Sequence, residues 1–516
     1  MHRFLSTAVL GIVLASGSTS CGNKSSSPSK AKDDAALGPA SPSAAPLAMP
    51  VLGVDQIKRF NFPYGEGRPA HDKAIAAYRK KDWASVRAQS EIAVGKDATH
   101  LGAHRLLAAA LAQTGEPAAA VDHLVAALAG DYGLYAPTLA DDDLKGFMAS
   151  PHGEAVKALA AKIQDEYARR AASGLWLVGR RADFAWPREL GVQWSTSRGE
   201  LYAFDRETKR FLRLSHTDHQ VVGFVRAAGG GEVALVGFDK IDRPKADGDA
   251  APLIARPWLQ VLDTKTWKPI TPRINLPAAR EVALGYAAGD QLLVATAPAT
   301  GRWTTGEPAI ASVDKASGKL TKVATALPAD HLVISLDESH AVRIPDGVTA
   351  AWTGDPPVAA SLKAGPAGKP IAIPESGAAS QASIALAPDA AHLAFATAAD
   401  PCAKDAAPSL YVADTKTATV KHLLSARSRF ATRWLDATTL AYDDGDNAIR
   451  LWDAQTGREA LRIDDRSGLA LDVLSIAAAP LCKQAPPSVE AGGAGDEPLP
   501  PEEAPGSGAG PITAPQ

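Results

Sequence analysis

The sequence predicts a multi-domain chain: all-α helical hairpins over residues 67–173, then an all-β propeller over 174–482. Six blades are expected, with seven as the alternative. Three observations predict this. Between residues 68 and 172, Ala, Leu and Val recur at three- and four-residue spacing, as in "HRLLAAALAQTGEPAAAVDHLVAALAGD". After Gly174 the pattern changes to short alternating runs bounded by Gly, Pro and Asp. Within that second part, one hairpin form recurs: a strand ending in Asp, a Lys/Thr/Ser/Gly-rich turn, and a second strand.

The N-terminus comes first in order. His2 and Arg3 precede the apolar run "FLSTAVLGIVLAS" and the small-residue stretch "GSTSC", which ends at Cys21. This is a secretory signal pattern, too short for a spanning helix. Its end resembles the lipobox of bacterial lipoproteins, with Ser18 where that family prefers Leu. The resemblance implies a signal peptide over 1–21 and lipidation of Cys21, hence a membrane contact through the lipid anchor. Gly22 after the cysteine, by likeness to enteric lipoproteins, implies the outer membrane, facing the periplasm or the cell surface. Cleavage elsewhere by the ordinary signal peptidase is the alternative. Residues 22–66 begin Ser-, Ala-, Pro- and Lys-rich and are expected as a disordered tether.

The helical region carries an internal repeat. When "YRKKDWASVRAQSEIAV" is laid over "LAQTGEPAAAVDHLVAAL", Lys81 falls under Gly115, an offset of 34 residues. With Leu107, Ala108, Gly115, Ala120 and Ala127, the second copy resembles the tetratricopeptide family. The first copy departs from that pattern at Val86 and Lys81. Two copies are few for a solenoid, so a helix over about 152–172 is expected to cap the array. A plain helical hairpin domain is the alternative.

The β region carries five clear hairpins: 200–214, 258–270, 309–323, 409–423 and 449–463. Their turn aspartates are Asp205, Asp263, Asp314, Asp414 and Asp453, separated by 58, 51, 100 and 39 residues. The gap of 100 leaves room for a degenerate copy at 349–365. Strand pairs at 221–238, 281–297, 331–344, 383–398 and 430–444 precede hairpins. Four strands per 40–50 residues is the period of propeller blades. "LAPDAAHLAFATAAD" followed by "SLYVADTKTATVKHLL" resembles the WD-like repeats of TolB-type periplasmic propellers. "GLWLVGRR" (174–181) with 200–214 supplies only outer strands of a first blade. The orphan strand 469–479 is therefore expected to complete it and close the ring.

Three cysteines occur in the whole chain. If Cys21 carries lipid, Cys402 and Cys482 form a candidate disulfide in an oxidising compartment, with two free thiols as the alternative. The tail over 483–516 is acidic, Pro- and Gly-rich, and expected to be disordered.

No catalytic motif emerges. The turn aspartates read as turn-formers. "SHTDH" (215–219) offers His216, Asp218 and His219 as metal ligands, but reads better as an exposed polar loop. "GPAGKP" (365–370) lacks the Ser/Thr and the helix of a phosphate loop. The expectation is no metal, no cofactor and no enzyme. A net charge of −3 excludes a basic field for nucleic acid, so no nucleic-acid partner is expected. Both resembled families work chiefly by protein binding. That implies a non-enzymatic envelope scaffold or assembly factor, binding envelope proteins through a helical groove and propeller faces. The alternative is a propeller enzyme or small-ligand binder, lactonase-like, with a metal in the central channel.

Overall fold

The computed structural model describes residues 46–55, 66–185, 195–218, 220–242, 253–300, 306–328, 331–335, 347–353, 358–374, 378–398, 409–425, 431–443, 448–464 and 469–470. Cys21, Cys402, Cys482, His219, Trp194 and the tail lie outside these residues.

The described residues from Arg68 to Ser173 form two helical hairpins and a closing helix. The first hairpin is α1 (Arg68–Arg79) with α2 (Trp83–Lys96), and the second is α3 (Leu101–Gln113) with α4 (Pro117–Gly130). Trp83 and Pro117 open the second helix of each pair 34 residues apart. The two turns also match. Lys81 (φ 56°) and Gly115 (φ 86°) both take the left-handed conformation. Asp82 N–H then reaches Ala77 O at 3.1 Å and Glu116 N–H reaches Leu111 O at 2.9 Å. Where the expected pattern wanted Gly, Lys81 adopts the same backbone at a steric cost. Ala74, Val86, Ala93, Ala108, Ala120 and Ala127 are all buried between the helices.

After two short helices, α5 (Tyr132–Tyr135) and α6 (Lys145–Met148), comes the expected closing helix α7 (Pro151–Ser173). It is N-capped by Ser150 and has Pro at its first position. The segment between α5 and α6 is clamped onto α1 and α3. Asp143 accepts from Tyr78 Oη at 2.6 Å, and Asp141 pairs with Arg105 at 2.7 Å.

From Leu175 onward every named strand pairing is antiparallel. The strands are β1 (Leu175–Ala185), β2 (Ser195–Asp205), β3 (Arg210–Arg213), β4 (Val221–Arg226), β5 (Glu232–Asp242), β6 (Leu253–Asp263) and β7 (Ile274–Asn275). Next are β8 (Glu281–Ala287), β9 (Gln291–Ala297), β10 (Ala309–Val313), β11 (Leu320–Lys322), β12 (Leu332–Ser335), β13 (Val348–Thr353), β14 (Val358–Ala364) and β15 (Ile371–Ala372). The last are β16 (Ala378–Leu386), β17 (His392–Ala398), β18 (Ser409–Asp414), β19 (Val420–Ser425), β20 (Ala431–Trp434), β21 (Thr439–Asp443), β22 (Ala448–Asp453), β23 (Arg458–Asp464) and β24 (Leu469–Ala470). β16–β19 and β20–β23 are plain four-stranded meanders, the way propeller blades are built. β1–β3 make the first unit, and β4–β7 make a second that joins it through a single pair, Gly199 with Val221. The late strand β24 pairs with β1, Val178 opposite Ala470.

The region expected to be degenerate differs most from expectation. β12 was expected to belong to its own pair over 331–344, but it lies on β8, Ile334 opposite Val282. β13–β15 make a three-stranded sheet.

The five Asp turns are alike in backbone. In each, the N–H of the residue four positions on reaches the Asp carbonyl: Lys209, Trp267, Gly318, Ala418 and Gly457, at 2.7–2.9 Å. All five take φ between 58° and 71°. Each Asp side chain accepts backbone N–H groups of its own turn, as Asp414 does from Lys416 at 3.0 Å and Thr417 at 2.7 Å. The turn-forming role is therefore visible in the bonds. The residue after the Asp docks on the neighbouring turn in three units: Thr264 N–H to Gly231 O, Thr415 N–H to Ala391 O and Ala454 N–H to Thr438 O.

One apolar core runs from α3, α4 and α7 through Leu177, Leu201, Phe224 and Trp258 to Ala441, Ile449, Leu451 and Ile463 of the last unit. The helices thus share a core with the first two units, and the last unit packs against the same core.

Residues 46–55 fall inside the stretch expected as a tether, and residues 52–54 of them are packed. Leu52 and Val54 are buried. Val54 exchanges both backbone bonds with Phe211, at 3.0 and 2.8 Å, and Gly53 N–H reaches Ala129 O at 2.8 Å. A Cβ on Gly53 would lie 2.6 Å from Phe211 O, and its φ is +81°, so only glycine fits. The apolar run "VLGV" (51–54) is what separates this stretch from the polar residues before it.

Candidate functional site

A buried cluster of charged and polar groups lies where α4, α5 and α7 meet β2 and β3. Asp131 ends α4 and caps α5, accepting from Leu134 N–H at 3.1 Å. Its side chain is 1% exposed. His216 Nε2 stands 2.9 Å from Asp131 Oδ1. A carboxylate can only accept, so Nε2 carries the proton. Arg213, at the end of β3, lies 3.7 Å from Asp131 Oδ2 and donates to Glu200 Oε1 at 3.2 Å.

Glu200 in β2 is completely buried. It accepts from Thr217 N–H at 2.7 Å, from Thr217 Oγ1 at 3.1 Å and from Ser215 Oγ. Ser215 Oγ in turn accepts from Leu201 N–H at 2.8 Å. Three more bonds tie α7 to the first sheet: Tyr167 Oη to Arg213 O at 2.9 Å, Arg170 to Asp205 at 2.7 Å and Trp176 Nε1 to Ala171 O at 2.7 Å.

The electrostatics follow from burial and pairing. Burial alone would push the Asp131 carboxyl up. The charge and hydrogen bond of His216, with Arg213, outweigh it and hold Asp131 below the usual carboxylate range. Burial alone would draw Arg213 down, and Glu200, Tyr202 and Asp131 together hold it above its ordinary value. Burial pushes the Tyr167 hydroxyl well up, so it stays a neutral donor.

This placement corrects the expectation for "SHTDH". The described part of the loop is only half exposed: Ser215 and Thr217 are buried, while His216 and Asp218 are exposed and His216 is paired. The loop turns inward because it must satisfy a buried carboxylate on one side and α4 on the other. Asp218 is exposed and left-handed at φ 59°. The cluster's anchor, Glu200, was not singled out from sequence. A lone acid among the apolar residues of "GELYAF" was the available signal.

A second polar group sits among α1, α3 and α4. His104 Nε2 lies 3.0 Å from Ala98 O, and His104 Nδ1 lies 2.9 Å from His123 Nδ1. His71 and His100 rings are 4.3 Å apart. Among the described residues, no group of three His, Cys, Asp or Glu is arranged to hold a metal ion. No helix among them is long and apolar enough to cross a membrane. The tryptophans Trp176, Trp258, Trp434 and Trp452 are all buried.

No protein-family model matches the chain. No curated protein matches it. Among solved structures, TolB from Acinetobacter baumannii aligns over 62% of this chain and 71% of its own, at 12% identity and a TM-score of 0.30. A putative 6-phosphogluconolactonase from Bacteroides fragilis aligns over 57% of this chain and 96% of its own, at 14% identity and a TM-score of 0.28. Another from Bacteroides uniformis aligns over 57% and 98%, at 13% identity and a TM-score of 0.31. Identities and scores this low assign no ligand, activity or partner to this chain.

Proposed function

We propose that the chain is an exported, lipid-anchored envelope protein that acts without catalysis, as a scaffold or assembly factor. In this reading a tetratricopeptide-like array is fixed to a six-bladed ring, which β24 closes through its pairing with β1. The observation that carries the proposal is the joint at Asp131, Arg213, His216 and Glu200. Two buried carboxylates, Asp131 and Glu200, are spent on holding helices to sheet. A rigid two-part body presents a large preformed surface, which suits docking of a protein partner. The α1–α3 face is taken up by the chain's own Asp141 and Asp143. That shifts the proposed partner surface toward the ring faces.

Crosslinking and capture from membranes of cells carrying the tagged full chain tests the proposal. A specific envelope protein, lost when Asp131→Ala loosens the joint, is the expected result. Capture of no specific protein would count against a scaffold. A tightly held stoichiometric metal in the purified protein would favour the lactonase-like alternative. For the anchor, Cys21→Ala should move the protein out of the membrane fraction and remove the acyl mass. A variant that stays membrane-bound would sink the lipidation reading.

A further inference from the structure

Two histidines meet on the second helical hairpin. His104 lies in the first turn of α3 and His123 in the middle of α4, and the antiparallel packing of the two helices sets their ring centroids 5.1 Å apart. Their Nδ1 atoms are 2.9 Å apart. His104 Nε2 lies 3.0 Å from Ala98 O. A carbonyl can only accept, so Nε2 carries the His104 proton and Nδ1 presents a lone pair toward His123. His123 is the more exposed of the two rings, and its Nε2 has no hydrogen-bond partner among the described residues. Its Nδ1–H donates to His104 Nδ1 when both rings are neutral. Moving that proton to Nε2, where water can accept from it, leaves two lone pairs aimed at one point.

The hairpin packing does not call for this pair. The 34-residue offset carries His104 onto Ala70 and His123 onto Gln89, and the first hairpin packs without a histidine at either place. Imidazole suits nickel, copper and zinc. At a metal–nitrogen distance of about 2.0–2.1 Å, nitrogens 2.9 Å apart subtend roughly 90° at the ion. That is the cis angle of the square-planar and tetragonal centres that nickel and copper form. The bond from His104 Nε2 to a backbone carbonyl is the support that metal-bound histidines commonly have, because it fixes both the ring and the tautomer. No third side chain of ligand type joins them among the described residues, so the pair chelates an ion without enclosing it.

We propose that His104 and His123 form a two-histidine binding site for a divalent late transition metal, nickel or copper, with water in the remaining positions. The ion would tie α3 to α4 across their hairpin.

Nickel chloride is the probe, titrated near pH 7.5 in a non-chelating buffer into the full chain carrying no polyhistidine tag. The readouts are calorimetry and thermal melting. Saturable binding of one ion per chain with a Kd of about 0.1 mM or tighter is expected, with a rise in Tm. His104→Gln and His123→Gln should each weaken binding by about tenfold or more. His152→Gln, in the first turn of α7, should bind like the wild type. Circular dichroism checks that each variant is folded, and the more exposed His123 carries the test if His104→Gln does not fold. Absence of saturable binding in the wild type would overturn the proposal. Nickel held equally by His123→Gln would also overturn it, and would place the ion elsewhere, as the lactonase-like alternative requires.

Discussion

His216 Nε2 and Asp131 Oδ1 stand 2.9 Å apart, and that contact joins the helical array to the first sheet. The two partners are unequal in exposure: Asp131 is 1% exposed and His216 is 23% exposed at the side chain. Removing the exposed partner admits water, whereas removing the buried one leaves Arg213 short of an acid. Asp131→Ala is therefore expected to cost about 3 kcal/mol or more. His216→Ala is expected to cost about 1 kcal/mol. Chemical denaturation measures both. Equal small losses would show that the joint carries little energy.

Glu200 and Asp131 both approach the same arginine, Arg213, Glu200 at 3.2 Å and Asp131 at 3.7 Å. Their effects should not add. A double-mutant cycle of Glu200→Gln and Asp131→Asn is expected to show a coupling of about 1 kcal/mol or more. Additivity would mean that Arg213 does not couple the two carboxylates.

His100 gives the helical array an acid limit. Its Nδ1 accepts the Ala103 N–H at 3.2 Å and so caps α3. Burial, then the neighbouring His71, lower its pKa from the ordinary 6.5 to about 4, with Asp97 opposing and His104 adding to the drop. The folded value lies below the unfolded one, so the folded state takes up its proton later as pH falls. Stability is then full above about pH 6.5, declines between 6.5 and 4, and levels off below that. The loss is at most about 3 kcal/mol, since protonated Nδ1 can no longer cap. Thermal melts across this range should show the slope in the wild type and a shallower one in His100→Asn. An unchanged slope in that variant would assign it to other groups.

The five Asp turns differ in how well their fifth residue suits a left-handed backbone. Gly457 (φ 65°) fits, while Ala418 (φ 62°) is strained in the same place. Gly457→Ala should cost about 1 kcal/mol, and Ala418→Gly should gain roughly half of that, because glycine also loosens the unfolded chain. Opposite signs in thermal melts are the expected outcome. Two losses would mean that the turns are not equivalent.

What the sequence could show and what it could not divide along one physical line. Features set by local backbone geometry were legible. The 34-residue offset reappears as paired left-handed turns at Lys81 and Gly115, and the turn aspartates do bond their own turns. Features set by contacts between distant segments were not. Nothing near Val54 announces Phe211, and nothing near His216 announces Asp131, because each pair is brought together only after the helices dock. Glu200 failed for the same reason: its partners Ser215 and Thr217 lie across a folded hairpin. The candidate disulfide and Cys21, the candidate for lipidation, fall outside the described residues.

The Val54–Phe211 bridge has a mechanical consequence. Residues 51–54 are laced to β3 on one side and to α4 on the other, through Gly53 and Ala129. Arg210 adds a clasp to Asp55 at 2.9 Å. A load arriving along the chain from before residue 46 would meet this lacing before it reached α1. It would be divided there between β3 and α4, so the lacing would be strained before α1 and α2 felt the pull.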